Sequence, residues 1–146
     1  MPSNATKAPR HDPGLKIERP HLEGQQRLTL IVGMSCRNLR GFVFMWTHIA
    51  HFIWATARAS GCISILPGVS SPLSLTLVSY WSSSKELYRF VRSPAHLKWM
   101  TFLTRHPNSL NLFNETYAAP VSANFVKRAR GYAKGLMVKG EENSGA

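Results

Sequence analysis

The 146-residue chain has 44% hydrophobic residues and a formal net charge of +11, which is enough to build one domain with its own core. Its two cysteines, Cys36 and Cys62, are too few for a disulfide framework or a zinc site, and they predict free thiols in the reducing cytoplasm. The basic residues are scattered and no nucleic-acid-binding motif is present, so no nucleic-acid partner is predicted.

The chain is predicted to begin with a mobile arm and a central strand. Residues 1–24 are polar and proline-rich, lack hydrophobic periodicity and contain no apolar core of a secretory signal. From Gln26 the string "QRLTLIVGMSC" changes to a period of two, which is typical of a strand. Both faces of this strand are mostly apolar, so we expect it to lie in the middle of a sheet.

The most apolar segment, Gly41–Ala57, predicts a long helix that follows a turn over Asn38–Gly41 and ends before Ser60-Gly61. Its length of about 17 residues is at the short limit for a membrane span, and it contains two histidines. A buried amphipathic helix is therefore favoured. The basic residues that flank it leave association with a membrane surface possible: Arg37, Arg40 and Arg58.

The second half of the chain predicts a hairpin, two helices and a last strand. "CISILPG" is a strand that Pro67-Gly68 stops, and "SPLSLTLVSYW" is its hairpin partner. Ser82–Ser84 offers N-caps for "KELYRFVR", while Ser93 and Pro94 begin a second helix that runs to about Arg105. "LNLFNETYAA" is the fourth strand.

The order β-α-β-β-α-(α)-β predicts an α+β protein with the ferredoxin-like, split βαβ arrangement. We place the domain at residues 25–120, between the N-terminal arm 1–24 and a basic C-terminal tail at 121–146. One face of the sheet is left without helices and is still apolar, so a second copy of the chain is expected to cover it.

Three strings of the sequence, in this order, resemble one family: "LIVGM" (Leu30–Met34), "SYWSSSKELYRFVRSPAHLKWMTF" (Ser79–Phe102) and "NETY" (Asn114–Tyr117). The chain resembles the antibiotic-biosynthesis-monooxygenase-like proteins, and within them the fungal and bacterial group named after the monooxygenase-like protein of the fumagillin pathway. In that group the last string usually begins with His, where this chain has Asn114. The resemblance implies a homodimer whose sheets form an α+β barrel, with a pocket between sheet and helices in each subunit. It also implies tailoring of polyketides or terpenoids without flavin or metal.

Four polar residues are candidates for catalysis. A histidine on a pocket wall can act as an acid, a base or a hydrogen-bond donor, because imidazole titrates near neutral pH. The alternative is that one histidine meets solvent while the other bonds to a backbone carbonyl. A carboxylate in an apolar strand must be protonated or paired, either for catalysis or in a structural ion pair with Arg37, Arg40 or a residue across the dimer. The asparagine, whose side chain is predicted to lie on the opposite face of the strand from this carboxylate, would orient a substrate carbonyl or bond to a neighbouring strand. These candidates are His48, His51, Asn114 and Glu115, and we expect one of the two histidines to face the same cavity as Asn114 or Glu115.

Aromatic residues and one more histidine are candidates for substrate binding. Tyr80 and Trp81 end a strand beside a helix, where pocket rims are common. His96 and Trp99 lie three residues apart on one helix, a spacing that ordinary packing also produces. The full set is Met34, Phe44, Phe52, Tyr80, Trp81, His96, Trp99 and Tyr117.

No metal or cofactor is predicted. The HxxH pair at positions 48 and 51 is weak by itself, and suitable carboxylates are scarce. Nucleotide-binding, phosphate-binding and reactive-thiol motifs are also missing from the sequence.

The sequence therefore predicts a cofactor-independent enzyme of secondary metabolism that acts on a hydrophobic polyketide or terpenoid intermediate. Oxygenation would require a deprotonatable substrate and a base. Cyclisation or isomerisation, including pericyclic closure by a Diels–Alderase-type enzyme, would require a pocket that folds the substrate and polarises a carbonyl. The alternative is a non-catalytic carrier of lipophilic ligands or a dimeric partner subunit, whose pocket would need few polar residues.

Overall fold

The structure of the protein is a computed structural model that describes residues 17–22, 26–118, 120 and 122–135. Four antiparallel strands form its central sheet. In chain order the elements are β1 Ile17–Glu18, β2 Leu28–Cys36, α1 Leu39–Ala57, β3 Cys62–Ser71, β4 Ser74–Trp81, α2 Ser84–Val91, α3 Pro94–Arg105, β5 Leu110–Tyr117, β6 Phe125–Val126 and a 3-10 helix at Gly131–Gly135. The sheet order is β3-β4-β2-β5. This is the predicted ferredoxin-like arrangement, with β2 in a central position.

Each of the three α-helices begins at a polar N-cap. The Asn38 side chain accepts a hydrogen bond from the Gly41 amide (2.9 Å), so α1 begins inside the turn predicted there. Ser83 caps α2 by accepting from the Glu86 amide. Ser93 caps α3, and Pro94 occupies the first helical turn. The predicted starts of α2 and α3 are therefore confirmed, because these residues satisfy amides that a helix leaves unpaired.

The prediction that β3 stops at Pro67-Gly68 is wrong. The strand runs on to Ser71, with Pro67 opposite Leu77 and Gly68 opposite Thr76. β3 lies at the edge of the sheet and needs hydrogen bonds on one side only. Proline has no amide proton to donate, and an edge strand tolerates this loss.

The helices pack on one face of the sheet and form two hydrophobic clusters. The larger cluster surrounds the fully buried Met45 of α1 and joins it to Leu75, Leu77 and Trp99. The second cluster lies at the other end of β4, where Trp81 contacts Leu87 and Phe90. We use "inner face" for the helix-covered side of the sheet and "outer face" for the opposite side.

The ends of the described chain meet in a separate small sheet. Ile17 of β1 pairs with Val126 of β6, and Glu18 pairs with Phe125. The domain boundaries at 24 and 120 stay predictions, and most of the predicted arm and part of the predicted tail lie outside the described residues. In the described part of the chain, no helix has the length and hydropathy needed to cross a membrane.

We expect Gly41→Ala to destabilise the fold by about 1–3 kcal/mol, the usual cost of overpacking. A methyl group on the buried Gly41 would lie 1.9 Å from the carbonyl oxygen of Ser109. That carbonyl cannot easily move, because it also accepts a hydrogen bond from the Arg37 amide (2.9 Å). Guanidinium unfolding would measure the loss.

The control for this variant is Gly68→Ala. A methyl group at Gly68 would meet only the Thr76 carbonyl oxygen, at the ordinary contact distance of 3.7 Å. We expect this variant to be neutral or stabilised by up to about 1 kcal/mol. Equal unfolding midpoints for the two variants would contradict the close contact at Gly41.

Candidate functional site

A cavity of about 550 Å³ lies between the inner face of the sheet and all three helices. Alternate residues of β2 and β4 form its floor, since strand side chains point to opposite faces in turn. α1 contributes Phe52 and Thr56, and the two shorter helices contribute most of the aromatic wall. Six of the predicted site residues line this cavity: Met34, Phe52, Trp81, His96, Trp99 and Asn114.

Most of the cavity wall is apolar, and two of its hydroxyl groups are already engaged. Trp81 Nε1 donates a hydrogen bond to Ser79 Oγ (2.9 Å). Thr56 Oγ1 donates to the carbonyl oxygen of Phe52 (2.7 Å). Both groups therefore hold the wall in place, and neither is needed to explain chemistry on a bound molecule.

Two titratable side chains line the cavity, His96 and Tyr88, and His96 is the less exposed of the two. Its ring lies between Phe52 and Phe90, with centroid separations of 6.4 and 6.1 Å. Burial lowers the pKa of His96, and a hydrogen bond with the backbone of Val91 opposes this shift in part. Its place in the first turn of α3 acts in the same direction as burial, because a helix N-terminus disfavours positive charge. The imidazole is therefore neutral at physiological pH.

The Nδ1 atom of His96 is buried and has no hydrogen-bond partner among the described residues. A buried polar atom without a partner is costly unless a ligand or water completes its hydrogen bonding. The His96 ring lines the cavity, and a neutral imidazole can accept a proton from a bound molecule or donate one to it. His96 is therefore a candidate general base.

Asn114 also lines the cavity, and its side chain makes no hydrogen bond to another described residue; the hydroxyl groups of Ser84 and Thr116 line it too. It lies opposite Val32 in the β2–β5 pairing, so its side chain shares the inner face with Val32. The amide can donate a hydrogen bond to an oxygen of a bound molecule and accept one in return. The predicted contribution of Asn114 to the cavity is therefore matched by its position.

His48 and His51 do not line this cavity, so the prediction that one of them faces it together with Asn114 or Glu115 is wrong. The inward face of α1 is set by Met45, Ile49 and Thr56. His48 and His51 are displaced from Ile49 by one and two residues, and each residue turns a helix by about 100°. His51 is exposed, while His48 Nδ1 donates to the carbonyl oxygen of Phe44 (2.8 Å). The structure thus shows the alternative arrangement, in which one histidine meets solvent and the other bonds to a backbone carbonyl.

Phe44 also lies outside the cavity, in a surface groove of about 500 Å³ between α1 and α3. Its ring stacks on His48 at 4.2 Å and on Phe102 at 3.7 Å between centroids. The groove is open along its length and is lined by Leu39, Arg40, Val43, Phe44, Thr47, His48 and Phe102.

Glu115, Tyr80 and Tyr117 point to the outer face of the sheet. Tyr117 donates a short hydrogen bond from its hydroxyl to Glu115, and this bond and the carboxylate charge raise the pKa of Tyr117. The ion pair of Glu115 with Arg37 or Arg40 does not form. The reason is distance along the strand, since Arg37 follows the Cys36–Leu110 pair at the opposite end of β5.

A second cavity of about 700 Å³ lies over Tyr80 and Tyr117 on the outer face, and residues 122–124 and 130–133 form its other wall. Tyr132 lines it with only 5% of its surface exposed, and its hydroxyl has no partner among the described residues. Burial raises the pKa of Tyr132, and the charge of Arg27 opposes this shift. The sheet thus separates the predicted site residues into two groups that cannot act on one molecule.

The sequence interpretation missed Ser79 and Thr56 as residues of the cavity wall. Both could have been found from periodicity. Ser79 continues the alternation of Leu75 and Leu77 along β4, and Thr56 lies four residues after Phe52 on α1.

Neither cysteine has the environment of a nucleophile. Burial raises the pKa of the Cys62 thiol to about 11, against the opposing charge of Lys134. Burial also raises the pKa of Cys36. Both groups are protonated at neutral pH, and the thiolate is the reactive form. Within the described ranges, no three His, Cys, Asp or Glu side chains lie close enough together to bind a metal ion.

Comparison with known proteins identifies a family and a set of similar folds. The family described as monooxygenase af470-like matches residues 28–124, well over half of the chain. No curated protein sequence matches the chain significantly.

Several solved structures share the fold and are distant in sequence. A putative antibiotic biosynthesis monooxygenase from Deinococcus radiodurans is 18% identical with a TM-score of 0.55, and the match covers 66% of this chain and 97% of that one. A point mutant of SnoaB, described as a cofactor-independent oxygenase from Streptomyces nogalater, is 14% identical with a TM-score of 0.51, covering 64% and 93%. A putative antibiotic biosynthesis monooxygenase from Nitrosomonas europaea is 13% identical with a TM-score of 0.52, covering 64% and 90%. At these identities the comparison establishes a shared fold.

Proposed function

Because the chain belongs to the monooxygenase af470-like family, we propose that it is a cofactor-independent oxygenase that acts on a hydrophobic substrate in the cavity between sheet and helices. The observation on which this depends most is the neutral, half-buried His96, whose buried Nδ1 has no partner in the described part of the chain. The description of SnoaB as a cofactor-independent oxygenase supports the same chemistry on this fold.

In the proposed reaction, His96 is the general base. Its Nδ1 takes a proton from an acidic C–H or O–H group, and the resulting substrate anion supplies the electrons that reduce O₂. One oxygen atom bonds to carbon and the other leaves as water, so that a CH₂ group and O₂ become a carbonyl group and water. The Asn114 amide donates a hydrogen bond to the substrate oxygen on which negative charge develops. In the group that the sequence resembles, a histidine usually stands where this chain has Asn114. In the proposed reaction His96 of α3 acts as the base instead.

The substrate class follows from the cavity wall. Aromatic and aliphatic side chains dominate the lining, which suits a polycyclic or isoprenoid skeleton with few charges. A phenolic polyketide supplies both the apolar surface and the acidic proton that the reaction needs, and a terpenoid enol would also fit. We place this reaction in secondary metabolism and in the cytoplasm, where free Cys36 and Cys62 are stable.

Cyclisation or isomerisation is the second candidate reaction. It is favoured by the small number of free polar groups, because His96 and Asn114 would then only polarise a carbonyl while the apolar wall folds the substrate. The same two groups argue against a simple carrier of lipophilic ligands, which would have no use for a buried imidazole nitrogen without a hydrogen-bond partner.

Oxygen dependence separates these reactions. Protein dialysed against a chelator should convert anthrone, a tricyclic ketone with an acidic CH₂ group, to the quinone, and one atom from isotopically labelled O₂ should appear in the new carbonyl. Turnover that continues at the same rate without O₂ would favour cyclisation or isomerisation. Activity that returned only with added metal or flavin would contradict the proposal.

We further propose a homodimer formed through the outer face of the sheet. Phe113 is more than half exposed there and lies directly over Gly33, where a methyl group would approach its ring to 2.0 Å. The glycine thus makes room for an aromatic ring that lies flat on the sheet and presents its other side outwards. Apolar surface of this kind is usually covered by a partner.

Light scattering should therefore give about twice the monomer mass of 16.3 kDa. Phe113→Lys should shift the mass towards the monomer, since a charge would be buried at the centre of the contact. The matched control is Leu97→Lys, which changes an exposed residue on α3. A monomeric wild type at micromolar concentration would contradict the dimer.

A further inference from the structure

The outer side of α1 has a continuous apolar stripe that nothing in the described chain covers. Its residues recur every three or four positions and therefore lie along one line of the helix. Leu39 is 76% exposed, Val43 51%, Trp46 37% and Trp54 55%. Soluble surfaces rarely keep such an apolar line open to water without a use for it. We define this "outer stripe" as Leu39, Val43, Trp46, Ala50, Trp54 and Ala57.

The tip of the β3–β4 hairpin extends the outer stripe. The indole nitrogen of Trp46 donates a hydrogen bond to the Pro72 carbonyl (2.9 Å), which fixes the tip beside the middle of α1. The next residue, Leu73, is more than half exposed. The apolar surface is therefore held by two elements and is not a single helix edge.

The stretch of sequence that contains the outer stripe has charges of one sign only. Residues 26–85 contain no Asp or Glu. Arg37 and Arg40 lie at the N-terminal end of α1, and at the other end the Arg58 guanidinium lies 4.7 Å from the centroid of the Trp54 ring. Indole rings beside arginines match the interface of a membrane, where the ring sits at headgroup depth and the cation meets phosphate.

We propose that the outer stripe docks the protein on an anionic phospholipid membrane, with α1 lying parallel to the surface. The helix is about 28 Å long and about 10 Å wide, so the stripe offers roughly 300 Å². A stable contact between two proteins needs about 800 Å² from each partner. Binding to a membrane has no such minimum, because acidic lipids add an attraction for each nearby arginine.

Tryptophan fluorescence and co-sedimentation with vesicles test this proposal on the full chain. Of the four tryptophans, Trp81 and Trp99 are buried, so a change on adding vesicles reports on Trp46 and Trp54. Vesicles of phosphatidylcholine with phosphatidylserine should shift the emission to the blue and sediment the protein, and added salt should weaken both effects. Phosphatidylcholine alone should bind the protein much less.

Two variants separate the apolar and charged contributions. Val43→Ser/Trp54→Ser should bind at least about tenfold more weakly, because it removes apolar area that the membrane buries. Arg58→Gln should bind about fivefold more weakly. Leu97→Ser, at a half-exposed leucine on α3, is the control and should bind as wild type does.

Three results would overturn the proposal. One is the absence of wild-type binding to the acidic vesicles at low salt, and another is full binding by Val43→Ser/Trp54→Ser. The third is a lower mass for that variant than for wild type in vesicle-free buffer, which would make the stripe a contact between copies. The proposal does not depend on the cavity, so His96→Gln should bind vesicles normally whatever its turnover is.

Discussion

The His96→Gln variant should turn over substrate roughly 10²- to 10⁴-fold more slowly than wild type, the usual contribution of a positioned general base. Glutamine fills similar space and can hydrogen-bond, but it cannot take a proton at neutral pH. The loss should appear in kcat more than in KM, because the imidazole supplies little of the apolar surface that binds substrate.

The matched control is His48→Gln. His48 lies on the same side of the protein as α3 but outside the cavity, in the surface groove, where its Nδ1 donates to the Phe44 carbonyl. We expect its turnover to remain near that of wild type. A large loss in His48→Gln together with normal turnover in His96→Gln would move the site to the groove.

The pH dependence of kcat/KM should reflect the lowered pKa of His96. The neutral, proton-accepting imidazole persists to a more acidic pH than in an exposed histidine, so the acid limb should lie below the ordinary value of about 6.5. The effect on stability has the same sign. As the pH falls through 6.5 the unfolded chain binds a proton that the folded chain does not, and stability decreases until the folded pKa is reached. His96→Gln should remove this part of the pH dependence.

The second large effect is structural, and we expect Trp81→Ala to lower the free energy of unfolding by about 3–5 kcal/mol. Trp81 is fully buried at the end of β4 and packs on Phe90, with ring centroids 5.3 Å apart. Its removal would enlarge a cavity that already exists and leave the Ser79 hydroxyl without its donor. Small domains have only about 5–15 kcal/mol of stability, so this loss is a large share.

Trp54→Ala is the control for this prediction, since it makes the same change on an exposed tryptophan. It loses the contact with Arg58 but little buried area, so its unfolding free energy should stay within about 1 kcal/mol of wild type. Guanidinium titrations of both variants give the comparison. Similar midpoints would contradict the assignment of Trp81 to the core.

The sequence predicted the elements well because local chemistry decides where they begin. Ser93 and Pro94 identify the start of α3 by capping and by a fixed backbone angle, and neither depends on distant residues. β3 was predicted too short for the opposite reason. Proline ends a strand only where its missing amide is needed, and the sequence did not show that β3 lies at the sheet edge.

The candidate site was predicted less well, because it depends on which way each side chain points. The division of Asn114 from Glu115 follows from alternation along β5 and was predicted correctly as opposite faces. The rotation of α1 about its axis was not predictable, because apolar residues occur on both of its sides. One side packs against the sheet, and the other carries the outer stripe. The sequence therefore predicted His48 or His51 as the catalytic histidine of the cavity, whereas His96 is the one of the three that lines it.

The most direct test of the central claim is a spectrum of nitrogen-labelled histidine, recorded with and without anthraquinone, the product expected from anthrone. The chain has six histidines, so each ring can be assigned by substitution. The account predicts that the His96 ring signals shift on addition of the quinone and that those of His48 and His51 do not, because of these three histidines only His96 lines the cavity. Shifts at His48 with an unchanged His96 would contradict it.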